Sequence, residues 1–471
     1  MSTEAKSFPP CDGSGSPALF EVPSPPAAQP PGVRGPARVL RPNRLQMRME
    51  MSSLDALLAE DHQARAVWEY VEGLDLGCLY ESIRSVEGHA GRDAIDPRIL
   101  MTLWLYATLD GVGSARELAR LCEDHVVYRW ICGGVSVNYH TLSDFRTANV
   151  ELQDRLLTQS AAVLMHEGLV TMNRVAQDGM RVRANAGSSS FRRGKTLERL
   201  EQEAQQQIKA LRKELQDDPA AASKRQQAAR QRACRERQER IARARKELGQ
   251  MPQAKAAEQD SDKNDPKQGQ GHKKEPKEPR ASTTDADVRV MKMGDGGFRP
   301  AVNVQFATDT ASQIITGVDV GNVGSDMGKM GPMIEQHKGR YGQAPEEMLV
   351  DGGFAARQDI DAASHAEPPI TVYAPVKKSH KKDKNCYERQ PGDTDAVFQW
   401  RQRMATPEAQ KIYKDRAATA ECVNALARNR GMQQFLVRGL EKIKAVVLWF
   451  ALAHNLVRAA LLRRQAAGAV A

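Results

Sequence analysis

Apolar residues recur every three or four positions from Leu54 to about Glu167, and from Val170 onward every second position. A chain whose period changes in this way builds helices first and a sheet afterwards, so its fold class is α-helical followed by α/β. The helical part holds four runs, beginning LDALLAEDHQARAVWEYVEGL, IDPRILMTLWLYATLDGV, SARELARLCEDHVVYRWICG and TLSDFRTANVELQDRLLTQSAAVLMHEG. Local signals agree with the periodicity: Asp96-Pro97 supplies an N-cap and an N1 proline, and Ser114 with Glu117 forms a capping box. SARELARLCEDHVVYRWICGG followed by VSVNYHTLSDFRTAN also has the outline of a helix-turn-helix, in which Arg146 would meet DNA phosphates or base edges. The same pattern suits plain bundle packing.

After the period change, VTMNRVAQDGMRV reads as one strand or a tight pair, and FRPAVNVQFATD and QIITGVDVGNVGSD read as further strands. Strands then alternate with helices: MGKMGPMIEQHKGRYG, the strand before Asp351, ARQDIDAASHAE, the strand ITVYAPVK and two closing helices. That order predicts a mixed sheet covered by helices. Residues 195–280 interrupt it. Leu197, Leu200, Ala204, Ile208, Leu211 and Leu215 form a narrow apolar seam, and a second, polar helix follows at 224–249, so the interruption reads as an inserted helical hairpin. It holds 22 Lys/Arg against 15 Asp/Glu, about seven of the chain's nine net positive charges. Such a run is either a solvated face or an arm that tracks phosphates.

The expected organisation is therefore a Pro/Gly/Ala-rich disordered lead-in over 1–44 and a helical DNA-binding domain over 45–167. The sheet domain follows in two parts, 168–194 and 281–464, split by the 195–280 insertion, with a tail over 465–471. Seven scattered cysteines without a C-x-x-C pair exclude a zinc finger and a disulfide framework. The N-terminus lacks a signal-peptide pattern, and no apolar run is read as reaching the roughly 20 residues of a membrane span. The expected location is the cytoplasm, associated with the nucleoid, with no membrane partner.

Chemistry points to carboxylates. In EEMLVDGGF a short apolar strand delivers Asp351 into two glycines, which turn the backbone sharply at the carboxyl end of the strand where ligands sit. Asp178 lies on the first strand-like run and Glu421 on a basic C-terminal helix. No G-x-S-x-G, H-E-x-x-H or phosphate-loop motif is present. Three acids on a sheet and a helix suit phosphoryl transfer assisted by two hard cations, which needs no side-chain nucleophile.

QDGMRVRA, KMGDGGFRPAVNVQFATD, LVDGGFAARQDID, YKDRAATAE and FLVRGLEKIKAVVLWFALAHNLVR together resemble a bacterial insertion-sequence DDE transposase, from about Arg41 to Arg464. The resemblance implies an RNase H-like catalytic domain behind a helical N-terminal transposase domain. It implies that Asp178, Asp351 and Glu421 bind two Mg²⁺ ions, for which Mn²⁺ substitutes, and that Tyr413 and Arg416 grip the phosphate beside the cut. The partners it implies are the element's terminal inverted repeats, target DNA and a second subunit in the synaptic complex. Arg428 stands where the family has a lysine, and CVNALA replaces the family's Pro-Phe-Gly-type stretch after the glutamate. Trp400, in a basic loop, is either a packed tryptophan or a wedge against a flipped base. Asp285, Asp287, Asp309, Asp319 and Glu441 are rival acids, Asp319 first among them; caps and turns account for such residues equally well.

Overall fold

The computed structural model describes residues 45, 51, 53–86, 88, 92–217, 223–262, 278–377 and 385–470. The lead-in expected over 1–44, residues 263–277 of the hairpin's return and residues 378–384 of the basic loop lie outside the described residues.

Among the described residues seven α-helices come first: α1 (Gln63–Glu72), α2 (Gly77–Glu81), α3 (Pro97–Leu109), α4 (Ala115–Asp124), α5 (Val126–Cys132), α6 (Tyr139–Ala148) and α7 (Val150–His166). Helix α3 starts where the sequence signals it. The Asp96 carboxylate accepts from Arg98 N at 2.8 Å, with Pro97 in the first turn. Its Trp104 is fully buried and donates its indole N–H to Leu142 O at 2.9 Å, tying α3 to α6. The single helix expected over 115–132 breaks at His125, whose extended backbone (φ −102°, ψ 128°) separates α4 from α5. The bend turns Val127, Tyr128 and Ile131 into the core beside α3, and the Tyr128 hydroxyl donates to Asp110 at 2.9 Å.

The sheet comprises β1 (Arg174–Arg183), β4 (Arg289–Lys292), β5 (Phe298–Asp309), β6 (Ile315–Gly321), β7 (Glu347–Val350) and β8 (Thr371–Tyr373), while β2 (Phe191–Arg192) and β3 (Ala281–Ser282) pair with each other. Across the sheet β5 is antiparallel to β1, β4 and β6, and β1, β7 and β8 run parallel. The connections supply the covering helices α10 (Met330–Tyr341), α11 (Arg357–Ser364) and α12 (Asp395–Ala405), followed by α13 (Pro407–Arg416), α14 (Cys422–Asn429) and α15 (Leu440–Val470). Between β2 and β3 rises the hairpin of α8 (Gly194–Asp217) and α9 (Lys224–Asp262). Its neck is two rungs wide: Phe191 pairs with Ser282, Arg192 with Ala281, and the hydroxyls of Ser190 and Ser282 are 2.7 Å apart.

Helix α15 corrects one expectation. Leu440–Gly468 is long and apolar enough to cross a membrane by length and composition, because the run continues through the polar pair His454-Asn455. Here it is a core helix, touching α3, α6 and α7 as well as β6. Phe450 packs on Phe306 of β5 with ring centroids 5.5 Å apart, and Asn455 clamps both the N–H and the C=O of Ile315 at 2.8 Å. His454 is buried and donates to Gln313 O at 2.9 Å; burial pushes its pKa down to about 4, so the ring is neutral. One apolar cluster consequently runs from Trp104 through Trp449 to Phe306, and the described residues from 53 onward fall in one compact unit.

Candidate active site

Sheet register brings the first two acids together. Parallel pairing runs from Arg174 opposite Glu347 to Gln177 opposite Val350, so the next step sets Asp178 beside Asp351, one strand spacing of about 4.8 Å away. β7 stops there because Asp351 opens a turn in which its Oδ1 accepts from Gly353 N at 2.7 Å. A Cβ at 353 would stand 2.9 Å from that oxygen, so the turn requires glycine.

Glu421 reaches the site through an irregular helix. Thr406 caps α13, accepting from Ala409 N, and Pro407 fills its first turn. After Arg416 the helix widens into a π turn over Ala417–Glu421. In a regular α-helix residues five apart lie about 140° apart around the axis, whereas a π turn bonds i to i+5 and stacks them. Arg416 Nη1 thereby donates to Glu421 Oε1 at 2.9 Å while Nη2 stands 3.3 Å from Asp178 Oδ1. One guanidinium thus bridges two of the three acids. Asn424, one turn further on, donates its amide to Asp178 Oδ2 at 3.0 Å.

The electrostatics follow from this crowding. Burial raises the Asp178 pKa; Arg416 opposes the shift, and the charges of Asp351 and Asp326 add to it. Burial alone would lower Arg416, but the Asp178, Glu421 and Asp351 carboxylates outweigh it and hold its pKa above the ordinary value. The half-buried Tyr413 phenol is raised by burial and, beyond that, by the same three acids, with Arg416 opposing. Tyr413 therefore belongs to this cluster.

The remaining predicted residues divide. Arg428, seven residues after Glu421, is exposed, with no ion pair among the described residues. Arg146 is not presented to a ligand: its guanidinium stacks over Trp104 at 4.6 Å and donates to Gly113 O, and burial pushes its pKa down to about 10. Trp400 is 4% exposed and bonds Ala374 O at 3.2 Å, so it fills the core beneath β8 and is no wedge. Helical periodicity could not separate these two from surface groups, since both are polar-tipped side chains in basic segments. Asp285 and Asp287 accept from Gly439 N and Leu440 N at the start of α15, Asp309 closes a turn with Ser312, and Asp319 faces Lys329 at 3.6 Å.

Sequence reading missed Asp326, in the segment between β6 and α10. Its Oδ1 accepts from Asn303 Nδ2 and Gln305 Nε2, both at 2.7 Å. Gln177, beside Asp178, donates in turn to Gln305 Oε1 at 3.2 Å. The only available signal was a pair of amides alternating with valines in AVNVQF, which period-2 logic assigns to a solvent face. Both are in fact 1% exposed.

Among the described residues no three acid, histidine or cysteine side chains converge closely enough to hold a metal ion as they stand. The donors nonetheless suit a hard cation in kind: they are carboxylates, and Asn303 Oδ1 and Asn424 Oδ1 are buried acceptors without a donor. Arg416 supplies the positive charge between Asp178 and Glu421.

Comparison with protein families agrees at both ends of the chain. Residues 52–148 match a transposase domain (DUF772), and residues 377–460, which include Tyr413, Arg416 and Glu421, match a transposase DDE domain. No curated protein and no solved structure matches the chain. A transposase domain thus precedes the sheet and a transposase DDE domain carries the irregular helix, so over these two stretches the chain is similar to DDE transposases.

Proposed function

We propose that this chain binds the terminal inverted repeats of its element, hydrolyses the DNA at the 3′ ends and joins those ends to target DNA, with Asp178, Asp351 and Glu421 as its acidic triad. The observation that carries the reading is the β1–β7 register, which sets Asp178 beside Asp351 while the π turn and Arg416 tie Glu421 to Asp178. The strand order supports an RNase H-like domain: an antiparallel β6-β5-β1 portion continues into parallel β7 and β8. Two divalent cations, when bound to the triad, supply the charge that activates the attacking oxygen and stabilises the leaving one.

The chain's own residues do the rest. In the first step a water oxygen bonds to phosphorus, the bond to the 3′ oxygen breaks, and that oxygen leaves as a 3′-hydroxyl after taking a proton. In the second, the oxygen of the freed 3′-hydroxyl bonds to a target phosphorus, the target's own bond from phosphorus to its 3′ oxygen breaks, and that oxygen leaves as a hydroxyl after taking the proton. Arg416 and Arg428 hold non-bridging phosphate oxygens, and Asp178 and Glu421, which Arg416 pairs here, would hold the cations. The Tyr413 hydroxyl donates to the same phosphate. Joining two ends requires two copies of the chain in one complex.

A second surface supports the DNA reading. A cleft of about 390 Å³ at the foot of the hairpin is lined by Arg192, Arg237, Arg240, Arg438, Thr283 and Thr284, and no acid lines it. Other hairpin arginines are neutralised, Arg230 by Glu214 and Arg245 by Glu201, and Arg289 beside them by Glu247. Arg192 and Arg240 have no ion pair among the described residues, so the cleft offers charge to a phosphate backbone. Replacing Arg192, Arg240 and Arg438 with alanine is expected to weaken end-binding and to flatten the slope of log K against log salt by about 2–3 units. A salt titration of repeat-duplex binding reads this out; an unchanged slope removes the cleft from the DNA path.

The activity itself is tested on a labelled duplex ending in the element's terminal repeat, with Mg²⁺ and with EDTA. Nicking and joining only with the metal is the expected result. Binding without cutting in Mg²⁺ or Mn²⁺ would leave a DNA-binding protein and overturn the catalytic reading.

A further inference from the structure

The segment between β6 and α10 holds Asp326 in a position that its role in the fold does not explain. Two buried amides on β5, Asn303 and Gln305, donate to one of its oxygens, and Gln177 on β1 backs Gln305, so three interior side chains fix a single carboxylate. Its place between the strands is open only because glycines line it. A Cβ on Gly179, next to Asp178, would come within 2.2 Å of Asp326 Oδ1. A Cβ on Gly353 would stand 3.7 Å from Asp326 Oδ2 and 2.9 Å from Asp351 Oδ1, so both carboxylates border that glycine.

Among the described residues no lysine or arginine forms an ion pair with Asp326. Lys329, three residues away, faces Asp319, and Arg416 is engaged with Asp178 and Glu421. Both hydrogen bonds that Asp326 accepts from the strand go to Oδ1, while the neighbouring Asn303 Oδ1 is a buried acceptor without a donor. Fixing one acid with two amides near a second acid is unfavourable on its own, since like charges at short range repel in a partly desolvated setting. A divalent cation between them removes the penalty and takes oxygen ligands of this kind.

Resting on the triad reading above, we propose that Asp326 is a fourth carboxylate of the metal site: its Oδ2 shares a cation with Asp351, and Asn303 and Gln305 aim it by holding Oδ1.

The test is Mn²⁺ titration by calorimetry of the full chain without DNA, on the unmodified protein and on D326N, D351N and N303A, with thermal unfolding of each. Asn at 326 keeps an oxygen for the two amide donors and loses the charge. The expected result is that D326N binds Mn²⁺ at least about tenfold more weakly, a loss at the scale of a site's supporting ligands, with no drop in metal-free unfolding temperature. Asn303→Ala, which leaves the carboxylate but frees it, is expected to weaken Mn²⁺ binding several-fold, and it decides the matter should D326N fail to fold. If D351N loses affinity while D326N and N303A keep it, Asp326 is a structural anchor and the inference falls, with the triad reading intact. If D326N lowers the unfolding temperature at unchanged affinity, the inference likewise falls. Failure of the unmodified chain to bind Mn²⁺ overturns both readings.

Discussion

Asp351→Asn is expected to slow cleavage and strand transfer by about 10²–10³-fold, the scale seen when one electrostatic partner of a developing charge is removed, while end-binding stays within about twofold. The substitution is close to isosteric. Asparagine retains an oxygen to accept from Gly353 N, so the turn that ends β7 survives. What disappears is the charge beside Asp178, which should also relieve the upward pressure that Asp351 exerts on the Asp178 carboxyl. If arginines elsewhere hold the DNA phosphates, as proposed above, a binding assay on the repeat duplex separates the two effects. Equal loss of binding and cleavage would make Asp351 a structural residue and leave the β1–β7 register without catalytic meaning.

Trp449→Ala is expected to cost about 3–5 kcal/mol of stability, the range for deleting a buried aromatic side chain. Trp449 is 1% exposed on α15 and lies in the cluster that joins the N-terminal helices to the sheet. Its indole N–H donates to Arg146 O at 2.9 Å, and its ring lies 6.2 Å from Phe145, so truncation opens a cavity and removes a bond at the same place. Denaturant unfolding should show both regions losing stability together in a single transition. Two separate transitions, with only the helices weakened, would mean that the shared core does not couple them.

The parts of this fold that sequence made legible are those with local causes. Asp96-Pro97 starts a helix through chemistry contained in adjacent residues, and Asp351-Gly352-Gly353 ends a strand for the same reason. Contacts made across the sheet left weaker traces. Asn303 and Gln305 look like a wetted face until Asp326, more than twenty residues away, is found bonded to both. The spacing of Arg416 and Glu421 argues against contact in a regular helix, and only the π turn reverses that. Arg146 and Trp400 show the opposite error. Each carries a polar group suited to DNA, yet each uses it to satisfy a carbonyl inside the fold.

The two-rung neck between β2 and β3 bears on how such a protein can change over time. The hairpin leaves the sheet and returns to it through the Phe191–Ser282 and Arg192–Ala281 pairs, so the sheet experiences the whole excursion as one closed loop. The entropy of closing a loop rises only with the logarithm of its length, about 0.6 kcal/mol for each doubling. Residues toward the far end of the hairpin can therefore be gained or lost with little effect on the fold beneath, provided the two rungs and the contacts at its foot, among them Glu247 with Arg289, remain. Lineages carrying this architecture are free to rebuild the hairpin, and with it whatever the hairpin grips, while the acids below the neck stay where they are.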